Sequence, residues 1–354
     1  MKTKESITLS DVAKAAGVSP ATVSRVINKH VQINSRTRTK VFNAIQRLGY
    51  NTASIEKKAA AIAQSKTKVL NVEFLLFPLA EQKNMLSLEH FNEISNGIQS
   101  FFTQTGNIRM HICTWNSDED KYHDENEIIF KRLLQADGVL ITGTPNYSIL
   151  KRMEESGIKT VLISSDRENI SMNTVGSDDL SGGMQAARYL IENGHKHIGF
   201  LSGPEQIYSW TARRMGAMLE TIKLLGNDCF TYRESVSTEI TDIAETFRQW
   251  IDEGNMPRAI IMPAAHSVMA LERVLLERGL SCPEDISLVS FDTSYPGTFH
   301  IKPAHLKTFP KQMGIKAAQR LIQMLNFPHS EEKPHKVVIP MEFEEGNSVK
   351  KMNK

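Results

Sequence analysis

Cysteine is scarce in this chain: only Cys113, Cys229 and Cys282 occur among its 354 residues. They are widely spaced, form no Cys-x-x-Cys pair, and leave one thiol unpaired in any disulfide scheme. The pattern indicates a reducing compartment, the cytoplasm, with the thiols as ordinary core residues. No apolar run approaches the ~18 residues of a membrane span, and the start MKTKESITLSDV lacks the apolar segment of a secretory signal. We therefore expect neither a membrane protein nor an exported one.

The motifs of common enzymes are also missing. There is no Walker-type phosphate loop, no G-x-G-x-x-G after a predicted strand and no G-x-S-x-G elbow. His195 and His197 in GHKH supply at most two ligands of a four-ligand zinc set, so we interpret them as structural. The acidic run SDEDKYHDE lacks the glycine and the spacing of a calcium loop. We expect no enzyme activity, no cofactor and no metal site.

The most informative part of the chain is residues 9–28, LSDVAKAAGVSPATVSRVIN. Its first apolar residues recur at helical spacing until Gly17 breaks the pattern. Ser19 and Pro20 then suit the N-cap and first turn of a second helix, which buries Val23 and Val26. Two short helices joined by a tight turn form a helix-turn-helix, whose second helix fits the major groove of DNA.

The distribution of charge supports the same interpretation. The chain has 13 basic and 3 acidic residues through Lys68, and 29 basic and 37 acidic residues after it. The net charge of +2 therefore combines a basic N-terminal part with an acidic body. A basic domain is typical of phosphate binding, although a solvated charged face on an ordinary helical domain would have the same composition.

The pattern of apolar residues predicts a small all-α head followed by an α/β body. Residues 1–50 form the helix-turn-helix head, with a third helix at Ser35–Leu48, and residues 51–68 have the composition of a hinge linker or helix. Residues 69–345 alternate apolar strands with helices, which predicts two doubly wound parallel-sheet subdomains with a ligand crevice between them. Residues 346–354 are set apart as a C-terminal tail. The strands include VLNVEFLLF, IRMHICTW, GVLITG, TVLIS, HIGFLSG, RAIIMP and ISLVSF.

Seven motifs in order resemble the LacI/GalR family of bacterial transcriptional repressors over nearly the full length. They are the helix-turn-helix, INSRTRTKV with LGY, DGVLI, DDLSGGMQAARYLIENGHKHIGFLSGP, RRMGAMLETIKLLG and RGLSCPEDISLVSFD. The resemblance implies a homodimer that binds double-stranded operator DNA. It also implies a body like periplasmic sugar-binding proteins, in which a small, sugar-like effector in the crevice changes operator affinity.

The resemblance places the start of the second helix against base edges. Arg25 is the best candidate for specificity, because a guanidinium can bridge O6 and N7 of guanine, with a phosphate contact as its alternative role. Pro20 and Ala21 offer only apolar contact, for which thymine methyl groups are suitable, and Thr22 faces outward beside them. The residues suited to phosphate contacts are Thr8, Ser19, Ser24, Asn28 and Thr37.

The linker departs from the family pattern. Relatives place a leucine wedge in the minor groove, and the matching position here is Ala59, whose methyl group fills little of an opened base step. Ile62, nearly one turn later, is an alternative wedge in a shifted register. Lys57 and Lys58 suit the negative potential of a narrow groove.

In the body, Arg213 of RRMG and Asp292 of SFD match positions of the family that commonly contact the effector. An arginine and a carboxylate can together bind adjacent sugar hydroxyls, and their alternative role is an internal ion pair. Ala264 and Ala265 replace an Asn-Asp pair of the family, and His266 beside them is a candidate polar contact. The leading hypothesis is an effector-controlled repressor; the alternative is a cytoplasmic sugar-binding sensor with degenerate DNA control.

Overall fold

The computed structural model describes residues 8–27, 35–48, 69–78, 89–116, 122–165, 170–205, 207–292, 301–327 and 333–352. The chain divides into two compact units between Val69 and Leu70, which we call the head and the body. No helix among the described residues has the length and apolar character needed to span a bilayer.

The described residues of the head form three helices, α1 (Leu9–Ala16), α2 (Pro20–Ile27) and α3 (Ser35–Leu48). Gly17 ends α1 with a φ of 65°, a left-handed conformation that glycine adopts without a steric penalty. The helices share one apolar core, formed by Val12, Ala13, Ala16, Val23, Val26, Val41 and Ala44. The predicted helix-turn-helix and the third helix are therefore confirmed.

The body begins with the first lobe, a six-stranded sheet with the order β11-β5-β4-β3-β1-β2 in which every strand pair is parallel. Helices α4 and α11 cover one face of the sheet, and α5 and α6 cover the other. The strands are β1 (Leu70–Phe77), β2 (Ile108–Thr114), β3 (Gly138–Gly143), β4 (Thr160–Ile163), β5 (Asn173–Ser177) and β11 (Lys336–Ile339). The helices are α4 (Glu89–Thr105), α5 (His123–Leu133), α6 (Tyr147–Glu155) and α11 (Pro310–Asn326).

The second lobe is a sheet with the order β12-β10-β9-β8-β6-β7, in which only the pair of β10 and β12 is antiparallel among the described strands. Helices α7 and α8 cover one face, and α9 and α10 the other. The strands are β6 (Ile198–Ser202), β7 (Phe230–Glu234), β8 (Ala259–Ile261), β9 (Ser287–Phe291), β10 (Ala304–Lys307) and β12 (Glu342–Glu344). The helices are α7 (Asp179–Glu192), α8 (Tyr208–Leu225), α9 (Ile240–Asp252) and α10 (Ala265–Arg278). Two doubly wound lobes were predicted, and the structure confirms them.

The chain passes between the lobes three times, at residues 177–179, 307–310 and 339–342. Strand β11 follows α11 in the first lobe and pairs with β5, which is far from it in sequence, and β12 then returns to the second lobe. Residues 346–352, set apart above as a tail, lie against the second lobe, because Leu288 N donates to Ser348 O at 2.8 Å and Met352 N donates to Asn193 O at 2.8 Å.

Each lobe holds one pair of helices in unusually close contact through glycine. A Cβ atom on Gly183 of α7 would lie 2.0 Å from the carbonyl oxygen of Arg213, and one on Gly216 of α8 would lie 2.0 Å from that of Leu180. In the first lobe, Gly97 and Gly314 permit the same close approach of α4 and α11. These contacts hold α7 against α8 and α4 against α11, and the N-terminal parts of the same helices carry residues at the lobe junction.

Candidate functional site

The start of α2 presents a small exposed surface in the head. Ser19 caps this helix: Thr22 N donates to its Oγ at 3.1 Å, and the two hydroxyls are 2.8 Å apart. Pro20 and Ala21 are exposed at the first turn, where the sequence predicts base contacts. Ser24 and Arg25 lie one turn further on in α2, and the structure describes them by their backbone alone.

Thr8 has a structural role that the sequence analysis missed. Thr8 N donates to Asp11 Oδ2 at 2.8 Å, and Asp11 N donates to Thr8 Oγ1 at 3.4 Å, which closes a capping box on α1. Hydrogen bonds from the Thr8 hydroxyl, at 2.7 Å, and from Thr8 N lower the pKa of Asp11. Thr37 is half-buried in α3. Asn28, Lys57, Lys58, Ala59 and Ile62, all predicted to contact DNA, lie outside the described residues.

A cavity of about 400 Å³, which we call cavity 1, lies at the junction of the two lobes. The first lobe contributes the starts of α4 and α11 to its wall, and the second lobe contributes Asp292 just after β9. The polar side chains on its wall are Glu89, His90, Glu93, Asp292, Lys307, Thr308, Lys311 and Gln312. A concave site with convergent polar groups from both lobes is the expected position for a small ligand.

Arg213 lies behind this cavity in a buried ion network and is only 3% exposed. Its Nε donates to Asp179 Oδ1 at 2.8 Å, and its Nη1 donates to the carbonyl oxygen of Pro263 and to Asp292 Oδ2, the latter at 3.3 Å. Its guanidinium also lies 4.4 Å from the ring centroid of Phe291. Arg213 does not line either of the two cavities described here, so it acts on cavity 1 through the carboxylates that it holds.

Asp292 is the member of this network that reaches the cavity, with 26% of its side chain exposed. Its φ of 69° is left-handed, which an aspartate tolerates better than most residues, and Asp292 N donates to Leu306 O at 3.0 Å. Thr308 donates to Asp292 Oδ1. Burial opposes ionisation of Asp292, but the charge of Arg213, the neighbouring His90 and the Thr308 hydrogen bond lower its pKa below the usual value.

Two imidazoles lie close to Asp292. Burial lowers the pKa of His90, from the start of α4, and of His266, from the start of α10, although the carboxylate of Asp292 opposes both shifts. The ring of His266 lies 5.6 Å from that of Trp210. Its Nε2 atom is buried and has no hydrogen-bond partner among the described residues. Both rings are therefore neutral at pH 7, when each offers one donor and one acceptor.

A second cavity of about 220 Å³, cavity 2, lies on the other side of the Arg213 network. Strands β4, β5 and β11 of the first lobe and helices α7 and α8 of the second form its wall. Asp179 lines cavity 2, whereas Asp292 lines cavity 1, so the Arg213 guanidinium joins two carboxylates that face different spaces. Lys336 Nζ lies 5.9 Å from the ring centroid of Tyr208 across the lobe junction.

The structure thus brings together the three predicted effector residues, but only Asp292 forms a cavity wall. The sequence analysis missed Asp179, His90 and Thr308. Asp179 lies in the motif DDLSGG, 34 residues before Arg213, and no local pattern indicates that the two side chains meet. Among the described residues, no group of three or more His, Cys, Asp or Glu side chains is arranged to hold a metal ion.

Comparison with known proteins gives the class of this chain. Residues 8–53 match the family of bacterial regulatory proteins, lacI family, and residues 187–349 match the periplasmic binding protein-like domain. The HTH-type transcriptional repressor PurR of Actinobacillus pleuropneumoniae is 24% identical over 351 residues, 98% of this chain and 99% of that protein. Catabolite control protein A of Staphylococcus epidermidis is 25% identical over 301 residues, 81% and 83% of the two chains.

Solved structures show the same fold. The transcriptional regulator CelR in complex with cellobiose is 23% identical, with a TM-score of 0.68 and 97% of this chain and 99% of that chain covered. The lac repressor dimer bound to operator and the anti-inducer ONPF is 20% identical, with a TM-score of 0.65 and coverage of 98% and 100%. A helix-turn-helix head joined to a body of this kind defines a DNA-binding transcriptional regulator. The chain belongs to the LacI family of bacterial regulatory proteins.

Proposed function

We propose that this protein is a cytoplasmic repressor that binds operator DNA as a homodimer and that a small polyol effector in cavity 1 changes its DNA affinity. The observation that carries the proposal is the position of Asp292, a partly exposed carboxylate fixed by Arg213 and Thr308 at a cavity that both lobes line. The lac repressor was solved as a dimer on its operator, and CelR was solved with cellobiose, which supports both parts of the proposal.

The chemistry of the cavity suits hydroxyl groups. Asp292 accepts two hydrogen bonds from protein groups, and a carboxylate has about four acceptor positions, so it can accept more from a ligand. The neutral imidazole of His90, which lines the cavity, adds a donor and an acceptor. Arg213 keeps the Asp292 carboxylate ionised and in place, and it is a positioning residue rather than a ligand contact.

In the head, we assign base readout to Arg25 and apolar base contacts to Pro20 and Ala21. Pro20 and Ala21 form the exposed first turn of α2, and Arg25 follows them in the same helix. We assign Ser19, Thr22 and Ser24 to contacts with the phosphate backbone. Lys57 and Lys58 of the linker, together with the +10 net charge through Lys68, supply the salt-dependent part of the affinity.

The two lobes are joined by three chain crossings, and a ligand in cavity 1 acts on DNA affinity by changing how the lobes are arranged. A ligand that contacts His90 of the first lobe and Asp292 of the second favours the closed arrangement of the lobes. It does so only to the extent that it binds this arrangement more tightly than the open one. We infer that this difference is transmitted to the head through the linker.

The test uses the full chain and a fluorescent fragment of the promoter of its own gene. We expect affinity to fall steeply between low and moderate salt, and we expect one member of a panel of monosaccharides and disaccharides to change it. Asp292→Asn abolishes the sugar response but keeps DNA affinity, whereas the exposed control Asp228→Asn changes neither. If the protein binds sugar but shows no salt-dependent DNA binding, it is instead a sensor that has lost DNA control. If Asp292→Asn unfolds and loses DNA binding, Asp292 has a structural role and not a ligand-binding one.

A further inference from the structure

The carboxylate of Asp179 has a free acceptor atom at cavity 2. Asp179 lines this cavity and is 6% exposed. Arg213 Nε donates to its Oδ1 atom at 2.8 Å, and Ser177 Oγ donates to the same atom at 3.2 Å. The Oδ2 atom accepts no hydrogen bond from the described residues. A buried carboxylate oxygen without a donor is costly, so this atom is a favourable position for a ligand hydroxyl.

Two buried hydroxyl groups line the same cavity from the first lobe. Ser165 follows β4 and is 5% exposed, and Thr174 belongs to β5 and is 8% exposed. Neither side chain forms a hydrogen bond within the part of the chain that the structure describes. Each hydroxyl can donate one hydrogen bond and accept others. Together with Asp179 of the second lobe, they offer donors and acceptors to one small molecule between the lobes.

The charges at cavity 2 cancel. Asp178 and Asp179 are acidic lining residues, Lys336 is a basic one, and Arg213 binds Asp179 from behind at 2.8 Å. An ion that enters the cavity therefore meets no net opposite charge among the described residues to offset the loss of its hydration. A neutral hydroxyl compound loses less hydration and can still use the free oxygen of Asp179. The charge balance favours a neutral polyol over a phosphate or an amine.

The backbone of β5 leaves room for such a molecule. Gly176 lines cavity 2, and a Cβ atom built on it would have one heavy atom within 4 Å, Ser164 Cα at 4.0 Å. The strand therefore faces open space at this position, in contrast to the close helix contacts at Gly183 and Gly216. The cavity volume is about 220 Å³, against about 400 Å³ for cavity 1, so its ligand is the smaller of the two.

We propose that cavity 2 is a second ligand site, separate from cavity 1, and that it binds a short neutral polyol. One ligand hydroxyl donates to Asp179 Oδ2, and others form hydrogen bonds with Ser165 and Thr174. Because these residues come from both lobes, next to the chain crossing at residues 177–179, the ligand joins the lobes at a second point. This site is additional to the effector site proposed for cavity 1, and its ligand is not required to be the effector.

The test is calorimetry on the full chain with glycerol, erythritol and xylitol. Glycerol 3-phosphate and 2-aminopropane-1,3-diol serve as the anionic and cationic counterparts of glycerol. We expect at least one neutral polyol to bind with a Kd below about 1 mM. Both charged counterparts should bind about tenfold more weakly than this polyol, because the cavity offers neither of them a net opposite charge.

Substitutions on β5 locate the polyol. Gly176→Val places its side chain in the open space of the cavity and lowers the polyol affinity about tenfold or more, and Gly176→Ala produces a smaller loss if valine unfolds the chain. Thr174→Val removes a hydroxyl with little change in volume and lowers the affinity about threefold to tenfold. Thr103→Val is the matched control. Its hydroxyl lies on the exposed side of α4 and donates to Gln99 O at 2.8 Å, so the polyol affinity stays within about twofold.

Three outcomes would overturn the proposal. They are no binding by any of the three neutral polyols, tighter binding by a charged counterpart, and a polyol affinity that neither substitution at Gly176 changes, which would place the polyol outside cavity 2. Urea midpoints of the variants confirm that each affinity is measured on folded protein. Operator binding and the sugar response of cavity 1 are measured separately, so the second site can fail while the proposed function stands, and the reverse.

Discussion

Replacing Arg213 with methionine tests whether the buried ion network holds the second lobe together. Methionine keeps most of the stem volume against Phe291 but removes the charge that faces Asp179 and Asp292. Asp179 is 6% exposed and loses the guanidinium at 2.8 Å, so its carboxylate is left buried without a counter-charge. Breaking one partner of such a pair costs about 3–5 kcal/mol. We expect a loss of that size in the free energy of unfolding.

The assay is urea denaturation of the full chain at pH 7, followed by tryptophan fluorescence. The double variant Arg213→Met with Asp179→Asn recovers part of the loss, because the uncompensated charge is gone. Arg152→Met is the control, since its pair with Glu127 is on the surface and contributes about 0–1 kcal/mol. A loss below about 1 kcal/mol in Arg213→Met, or a double variant less stable than the single one, would refute the reasoning.

The close helix contact gives a second expectation: Gly216→Ala places a Cβ atom 2.0 Å from Leu180 O, and the required separation of α7 and α8 lowers the urea midpoint by the equivalent of about 1–3 kcal/mol. An unchanged midpoint contradicts this packing. The pKa of Asp292 is lowered in the folded state, so ionised Asp292 stabilises the fold at pH values above its ordinary pKa. This stabilisation is lost as the pH falls through the lower folded-state pKa, so the difference in unfolding free energy between wild type and Asp292→Asn shrinks below about pH 4. A difference that does not change with pH would disprove this expectation. Arg25→Ala costs about 1–3 kcal/mol at one symmetric base pair, whereas Lys57→Ala weakens all sequences alike and lowers the salt slope by about 1. Equal weakening of every sequence by Arg25→Ala identifies a phosphate contact.

Local periodicity predicts much of this fold, and its limits are physical. The seven apolar runs all form strands, and five of them, β3, β4, β6, β8 and β9, are buried almost throughout because helices cover both faces of their sheets. Strand β2 lies at the edge of its sheet and alternates polar with apolar residues instead. Five further strands are short and contain polar residues, among them β7 and β11, which the same criterion does not select. Strand β11 is also far in sequence from β5, and a sequence pattern carries no information on such long-range pairing.

The site shows the same division between local and long-range information. Ser19 at the start of α2 could be predicted, because a cap depends on neighbours within one turn. The contacts of Arg213 could not, because Asp179 and Asp292 lie 34 and 79 residues away and meet it only after both helices and strand β9 are packed. The resemblance to a family predicted a functional role for Arg213. Its position behind the cavity wall, rather than on it, follows from the structure alone.

The linker gives the last prediction, which concerns DNA shape. If Ala59 occupies the wedge position, its methyl group cannot hold a base step open, and the bound operator is bent less than one held by a leucine wedge. Ala59→Leu then increases the bend and the affinity, and Ile62→Ala is nearly silent. Bending is measured by energy transfer between dyes at the two ends of the operator fragment, with affinity from the same titration. A large loss in Ile62→Ala with no gain from Ala59→Leu shows instead that Ile62 is the wedge, in a register shifted by nearly one helical turn.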